Sequence, residues 1–157
     1  MSRLLVLSFT HVVVFLMGLA LGIYLLPVLT QGEAVSSEHI AQVETSAQYS
    51  GVFDRNRIDS DALHWGEGEF FINDNEFAFR GELAPGPDYK LYLIPKYVET
   101  EDEFMAMKAQ ALHVGAIDRF DGFTLSLPPG VDLSQYEAAI IWCERFSQFI
   151  TSGHLKS

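Results

Sequence analysis

One sulfur dominates the chemistry this sequence can offer. Cys143 is the single cysteine among 157 residues, so no intrachain disulfide, zinc finger or Cys-x-x-Cys motif is available. A lone thiol has two redox routes. It cycles through sulfenic acid or a mixed disulfide, or it ligates a metal as thiolate. Both use the ionised sulfur, and an ordinary thiol ionises only near pH ~8.5. Arg145 is the nearest cation along the chain. Residues i and i+2 of a strand share a face, so Arg145 is expected beside Cys143, favouring its thiolate. The competing expectation is an inert cysteine packed as a small hydrophobe. Trp142 should point to the opposite face and pack, and Phe146 and Phe149 read as core.

Other candidate groups are scattered. His39, His64, His113 and His154 show no i,i+2 or i,i+4 pairing, so no local metal motif exists. A site joining Cys143 to one of them has to be assembled by folding. Glu99, Glu101, Asp102 and Glu103 lack the spacing and glycine of a calcium loop and read as a solvated charge run. Asp118 and Asp121 flank Phe120 ahead of Gly122 and read as turn formers. There is no Gly-x-Ser-x-Gly, no His-Glu-x-x-His and no phosphate loop, so hydrolase chemistry has no support. Ten basic residues face 21 acidic ones, a net charge of −11, which argues against a nucleic-acid partner. No residue pattern names a cofactor.

The elements that must position Cys143 follow from hydrophobic patterning. Arg3 is the only charge before Glu33, and Leu4 to Leu29 is a nearly unbroken apolar run. About 20 helical residues cross a bilayer core, so residues 1–30 are expected to form a single transmembrane signal-anchor helix with membrane lipid as its partner. A cleavable signal peptide is the alternative, but its apolar region is usually ~7–15 residues. Ser8 and Thr10 can bond back to helix carbonyls, and His11 lies near the amino-terminal end. Gly18 and Gly22 form a Gly-x-x-x-Gly pattern that suits helix pairing or a plain lipid-facing helix. Arg3 places the N-terminus in the cytoplasm by the positive-inside rule. The remainder is then extracytoplasmic, or periplasmic in a bacterium. Residues 31–50 are small and polar and read as a tether, in which Ile40 and Val43 support at most a helical turn.

Beyond the tether the pattern is β. Phe77, Phe79 and Leu83 alternate with Glu76, Arg80 and Glu82, giving one buried and one wet face. Glu69-Phe70-Phe71-Ile72 precedes them across Asn73-Asp74-Asn75, a hairpin signal. Tyr89 to Ile94 and Phe123 to Leu127 read as further strands. Thr100-Glu101-Asp102-Glu103 reads as a capping box before a short helix. Ser134 to Glu137 has the same form, and Tyr136, Ala139, Ile140, Cys143, Phe146 and Ile150 share a helical face. Ile140-Ile141-Trp142-Cys143, by contrast, is a β-type run. Periodicity alone therefore favours a helix there.

A broader pattern bears on that conflict. Gly86-Pro87-Asp88-Tyr89-Lys90-Leu91-Tyr92-Leu93, Gly115-Ala116-Ile117 and Leu127-Pro128 occur in order. They are followed by Val131-Asp132-Leu133-Ser134-Gln135-Tyr136 and Ile140-Ile141-Trp142-Cys143-Glu144-Arg145-Phe146. Together these resemble the DM13 domain, a family labelled for electron transfer, over about Gly51 to Leu155. Leu125 departs from the pattern, since many members carry an aromatic residue shortly before Leu-Pro. The resemblance implies an all-β fold, a compact β-sandwich over 51–157, with Ile140 to Cys143 as a strand. It also implies a redox role, with Cys143 as the reactive group. Animal members occur beside haem-binding modules, so a separate redox or other envelope protein is the expected partner. The alternative is a non-catalytic binding or scaffold module for another envelope protein.

Overall fold

The computed structural model describes residues 2–157. Helix α1 (Ser2–Leu29) opens the chain. Its span Arg3–Leu29 has a mean hydropathy of 2.6 and no buried residue. Such a helix either crosses a bilayer or is a signal sequence. Thr10 Oγ1 donates to Leu7 O at 2.9 Å, so this polar side chain is satisfied within the helix.

Two four-stranded antiparallel sheets follow. The first runs in the order β1 (Tyr49–Phe53), β2 (Gly66–Ile72), β3 (Glu76–Leu83), β6 (Phe123–Ser126). The second runs β5 (Leu112–Ile117), β4 (Tyr89–Ile94), β7 (Ala138–Cys143), β8 (Gln148–His154). Their inner faces meet in one core. Phe53, Phe70, Phe77, Phe79 and Phe123 come from the first sheet, and Tyr89, Leu91, Leu93, Ile141 and Cys143 from the second. The phenylalanine rings form a connected stack with centroids 4.7–6.4 Å apart. Each such pair adds about 0.5–1.5 kcal/mol beyond area burial.

The β2–β3 hairpin pairs Ile72 with Phe77. Its turn closes because Asn73 Oδ1 accepts from the N–H groups of Asn75 and Glu76 at 2.9 and 2.8 Å. Helix α3 (Glu101–Met107) starts at the expected capping box, where Glu103 N–H donates to Thr100 Oγ1 at 3.3 Å.

Three features differ from a purely local reading of the sequence. Periodicity alone favours a helix from Tyr136 to Ile150, but the strand that the resemblance implies over Ile140–Cys143 is the one that forms, as β7, followed by a turn and β8. β7 is buried at all six positions. Ala139, Ile141 and Cys143 face the core between the sheets, while Ala138, Ile140 and Trp142 face a second cluster with Phe104 and Phe149. A strand covered on both faces loses the alternation that identifies it. The second capping box is also different: Asp132, not Ser134, caps a single 3₁₀ turn over Leu133–Gln135, donated to by Ser134 N–H at 3.1 Å.

The third concerns the short helices, which make the chain less than all-β. Within the stretch read as a tether, α2 (Ser37–Thr45) folds onto the outer face of the first sheet. Ile40 and Val43, a single apolar pair at i,i+3, are buried against Phe71 and Ala78. Arg80 secures the same helix by donating to Glu44 Oε2 at 2.8 Å. α3 covers the second sheet in a similar way through Phe104, whose ring lies 4.9 Å from that of Trp142.

Candidate functional site

Cys143 is the last residue of β7 and pairs with Tyr89, the first residue of β4. The strand stops there because Glu144 to Ser147 turn the chain back into β8, with Ser147 at φ 51° and Glu144 N–H donating to Asp88 O at 2.9 Å. The sulfur is 1% exposed and belongs to the inter-sheet core. Burial pushes its pKa up, and the backbone N–H groups of Phe146, Arg145 and Asp88 oppose that rise only in part. Cys143 is therefore a neutral thiol near pH 7.

Arg145 stands where the strand has already ended. It is exposed in the turn, and its guanidinium makes no hydrogen bond or ion pair among the described residues. What Arg145 offers the sulfur is its backbone N–H. The i,i+2 argument assumed one more pair of strand residues than β7 has. Phe146, expected in the core, is 53% exposed for the same reason. Phe149 is buried as expected, and Trp142 lies on the face opposite Cys143.

Cys143 is among the residues that surround a cavity of ≈ 280 Å³, with Tyr89, His64, Leu63, the Pro85–Pro87 segment and Phe146, bounded on the far side by Ala20, Ile23 and Tyr24 of α1. Gly86 permits this arrangement, since a Cβ there would lie 2.3 Å from the Tyr89 ring. A wider opening of ≈ 640 Å³ adjoins it between the end of α1 and Ile117, Phe120 and Arg145. Tyr89 is 1% exposed, and its ring meets Phe120 edge-on at 5.9 Å. Burial, and then the neighbouring Cys143 sulfur, push its hydroxyl pKa up, and the hydroxyl makes no hydrogen bond among the described residues.

Folding thus brings one histidine to Cys143. The loop after β1 carries His64 to the cavity wall, with Nδ1 held by Asp61 at 3.0 and 3.1 Å. The other three stay apart. His39 contacts Glu76 at 3.3 Å, His113 lies against the Tyr92 ring and His154 stacks on Tyr97. No group of three metal-ligating side chains occurs among the described residues.

The acidic run is used structurally rather than simply solvated. Glu99 pairs with Arg57 at 3.3 Å, Glu101 accepts from Gln148, and Glu103 caps α3. Asp121 accepts from Arg119 at 2.6 Å in the turn that Gly122 allows with φ +116°.

On the outer face of the second sheet is a grouping the sequence did not suggest. Glu144 accepts from Tyr92 and, at 2.6 Å, from Lys108 Nζ. The Lys108 ammonium lies 5.4 Å above the Trp142 ring, whose Nε1–H is buried with no acceptor. Burial and the Glu144 charge push the Tyr92 pKa up. Only tertiary packing unites these residues, so no local signal marks them.

A two-sheet antiparallel domain headed by one apolar helix, with a single thiol at a strand end, is the class this geometry defines. A family model described as electron transfer DM13 matches residues 57–155, more than half of the chain. The chain belongs to that family. No curated protein and no solved structure matches it in the same comparisons.

Proposed function

We propose that this chain is a membrane-anchored, extracytoplasmic DM13 domain that serves electron transfer, with Cys143 as its redox group. The family match across 57–155, which includes Cys143, carries this reading. The length and apolarity of α1 support an anchor, and Arg3 at its start supports a cytoplasmic N-terminus. The cavity beside Cys143 supports the approach of a partner to this otherwise buried position. Because burial raises the thiol, its reaction is expected to be slow at neutral pH and to need a partner that seats in the cavity. A separate redox protein or carrier supplies the other half of the exchange.

A second reading rests on the same burial. A cysteine 1% exposed with a raised pKa also suits an inert core residue in a scaffold or binding module for an envelope protein. Thiol labelling of the full chain in membranes separates the two. Under the redox reading, a small membrane-permeant maleimide labels folded Cys143, faster as pH rises. The rate stays unchanged in Arg145→Ala, since that guanidinium does not meet the sulfur. Labelling that begins only on unfolding removes Cys143 as the redox group and leaves the binding module.

A further inference from the structure

Two large apolar side chains stay exposed on the side of the domain that faces α1. Leu63 is 61% exposed and Phe146 is 53% exposed, and both border the cavity whose other wall is Ala20, Ile23 and Tyr24. The wider opening repeats the pattern, with Phe146 and Arg145 on the domain side and Ile23, Leu26 and Pro27 on the helix. These domain residues therefore stand level with the last turns of the apolar span, not beyond its end. Depth follows from counting along the helix. About 20 helical residues cross a hydrocarbon core of ~30 Å, and from Leu4 that length is reached at Ile23. Ala20 to Pro27 then lie at the outer edge of the core and in the headgroup layer, where Tyr24 suits the aromatic belt. The hydrogen bonds of Gly32 with Asp118 and Arg119 hold the domain at that height.

We propose that this face of the domain is a membrane-docking surface, resting in the interfacial layer of the bilayer that α1 crosses. Leu63 and Phe146 insert among the upper acyl chains, and Arg145 meets a lipid phosphate. The proposal rests on the anchor reading above and adds how the domain sits on its membrane. Insertion removes from water two apolar side chains that the domain itself leaves uncovered. Arg145 supplies the matching charge. It is exposed, and its guanidinium makes no hydrogen bond or ion pair among the described residues of a chain with net charge −11. A guanidinium suits phosphate oxygens because its N–H groups bond them in pairs. Asp118, the acid at the same opening, has its carboxylate against Gly32. The occupant is lipid rather than another protein because the face runs alongside the span itself.

The test uses the full chain in phosphatidylcholine nanodiscs doped with a phosphatidylcholine that carries a diazirine near the start of one acyl chain, followed by photolysis and peptide mapping. Adducts are expected on α1, at Leu63, at Phe146 and on the Pro85–Pro87 segment. None is expected at Val52 or Ile58, which are also exposed but border neither opening beside α1. Leu63→Glu combined with Phe146→Glu changes only exposed side chains, and should lower the Pro85–Pro87 adducts about tenfold while those on α1 persist. Arg145→Glu should lower the Phe146 adduct roughly fivefold, by repelling lipid phosphate. Adducts confined to α1, or equally frequent at Val52 and Ile58, or unchanged in the double variant, overturn the proposal. Alkaline carbonate extraction of membranes reports the anchor separately. If the chain is extracted, the anchor reading and this surface fall together; if it is retained and the domain carries no adduct at Leu63 or Phe146, this surface alone falls.

Discussion

At the scale of single residues, position in the turn outweighs sequence proximity. Arg145 and Phe146 come only two and three residues after Cys143, yet both are exposed because β7 ends at Cys143. Strand pairing instead selects Tyr89, 54 positions earlier, as the close neighbour of Cys143. Sequence patterning placed Tyr89 on a strand but held nothing about its register with β7. Trp142 offers a residue-scale prediction. Its indole N–H is buried without an acceptor, so removing that group recovers part of what the smaller ring loses. Trp142→Phe should change unfolding free energy by about 1 kcal/mol or less. Trp142→Ala should cost about 3–5 kcal/mol, as large cavities do. Denaturant unfolding of both variants checks the pair, and equal losses would mean that the N–H has a partner.

Secondary-structure elements were legible to the extent that one face of each is wet. The β2–β3 hairpin and the cap of α3 were readable because alternation and capping are local signals. β7 was not, since both of its faces are covered, and the family resemblance rather than periodicity identified it as a strand. α2 was hidden for the opposite reason: its contact with the first sheet relies on two apolar residues in a polar segment. Those two residues nevertheless matter. Ile40→Ala should cost about 2 kcal/mol, the low end for such truncations because the cluster is small. Amide exchange should then rise across Ser37–Thr45 and over Phe71 and Ala78, but not in β7. Uniform exchange would mean that α2 unfolds only with the whole domain.

Over the whole molecule, acidic charge sets the response to pH. Asp61 is held below its ordinary value, first by its hydrogen bond with His64. Arg80 does the same for Glu44, and Ser134 for Asp132. Burial pushes Glu144 up, but hydrogen bonds from Lys108 and Tyr92 hold it lower overall. Groups lowered on folding stabilise above their unfolded pKa, and that stability is lost as pH falls through the folded value. The thermal midpoint should therefore hold from pH ~7 to ~5 and drop steadily below ~4. Added salt should blunt the part contributed by exposed pairs. A midpoint that rises on acidification would contradict this balance.

One small contact governs how far the domain can travel. Gly32 is gripped on both sides: its N–H donates to Asp118 O at 3.3 Å, and its carbonyl accepts from Arg119 Nη1 at 2.7 Å. Only Thr30 and Gln31 separate that grip from the end of α1. The three steps from Leu29 to Gly32 extend about 11 Å at most, about the width of a helix. A domain on so short a leash does not sweep a hemisphere in search of collisions. With α1 in a bilayer, its encounters become planar, and its rate of meeting a partner scales with that partner's surface density.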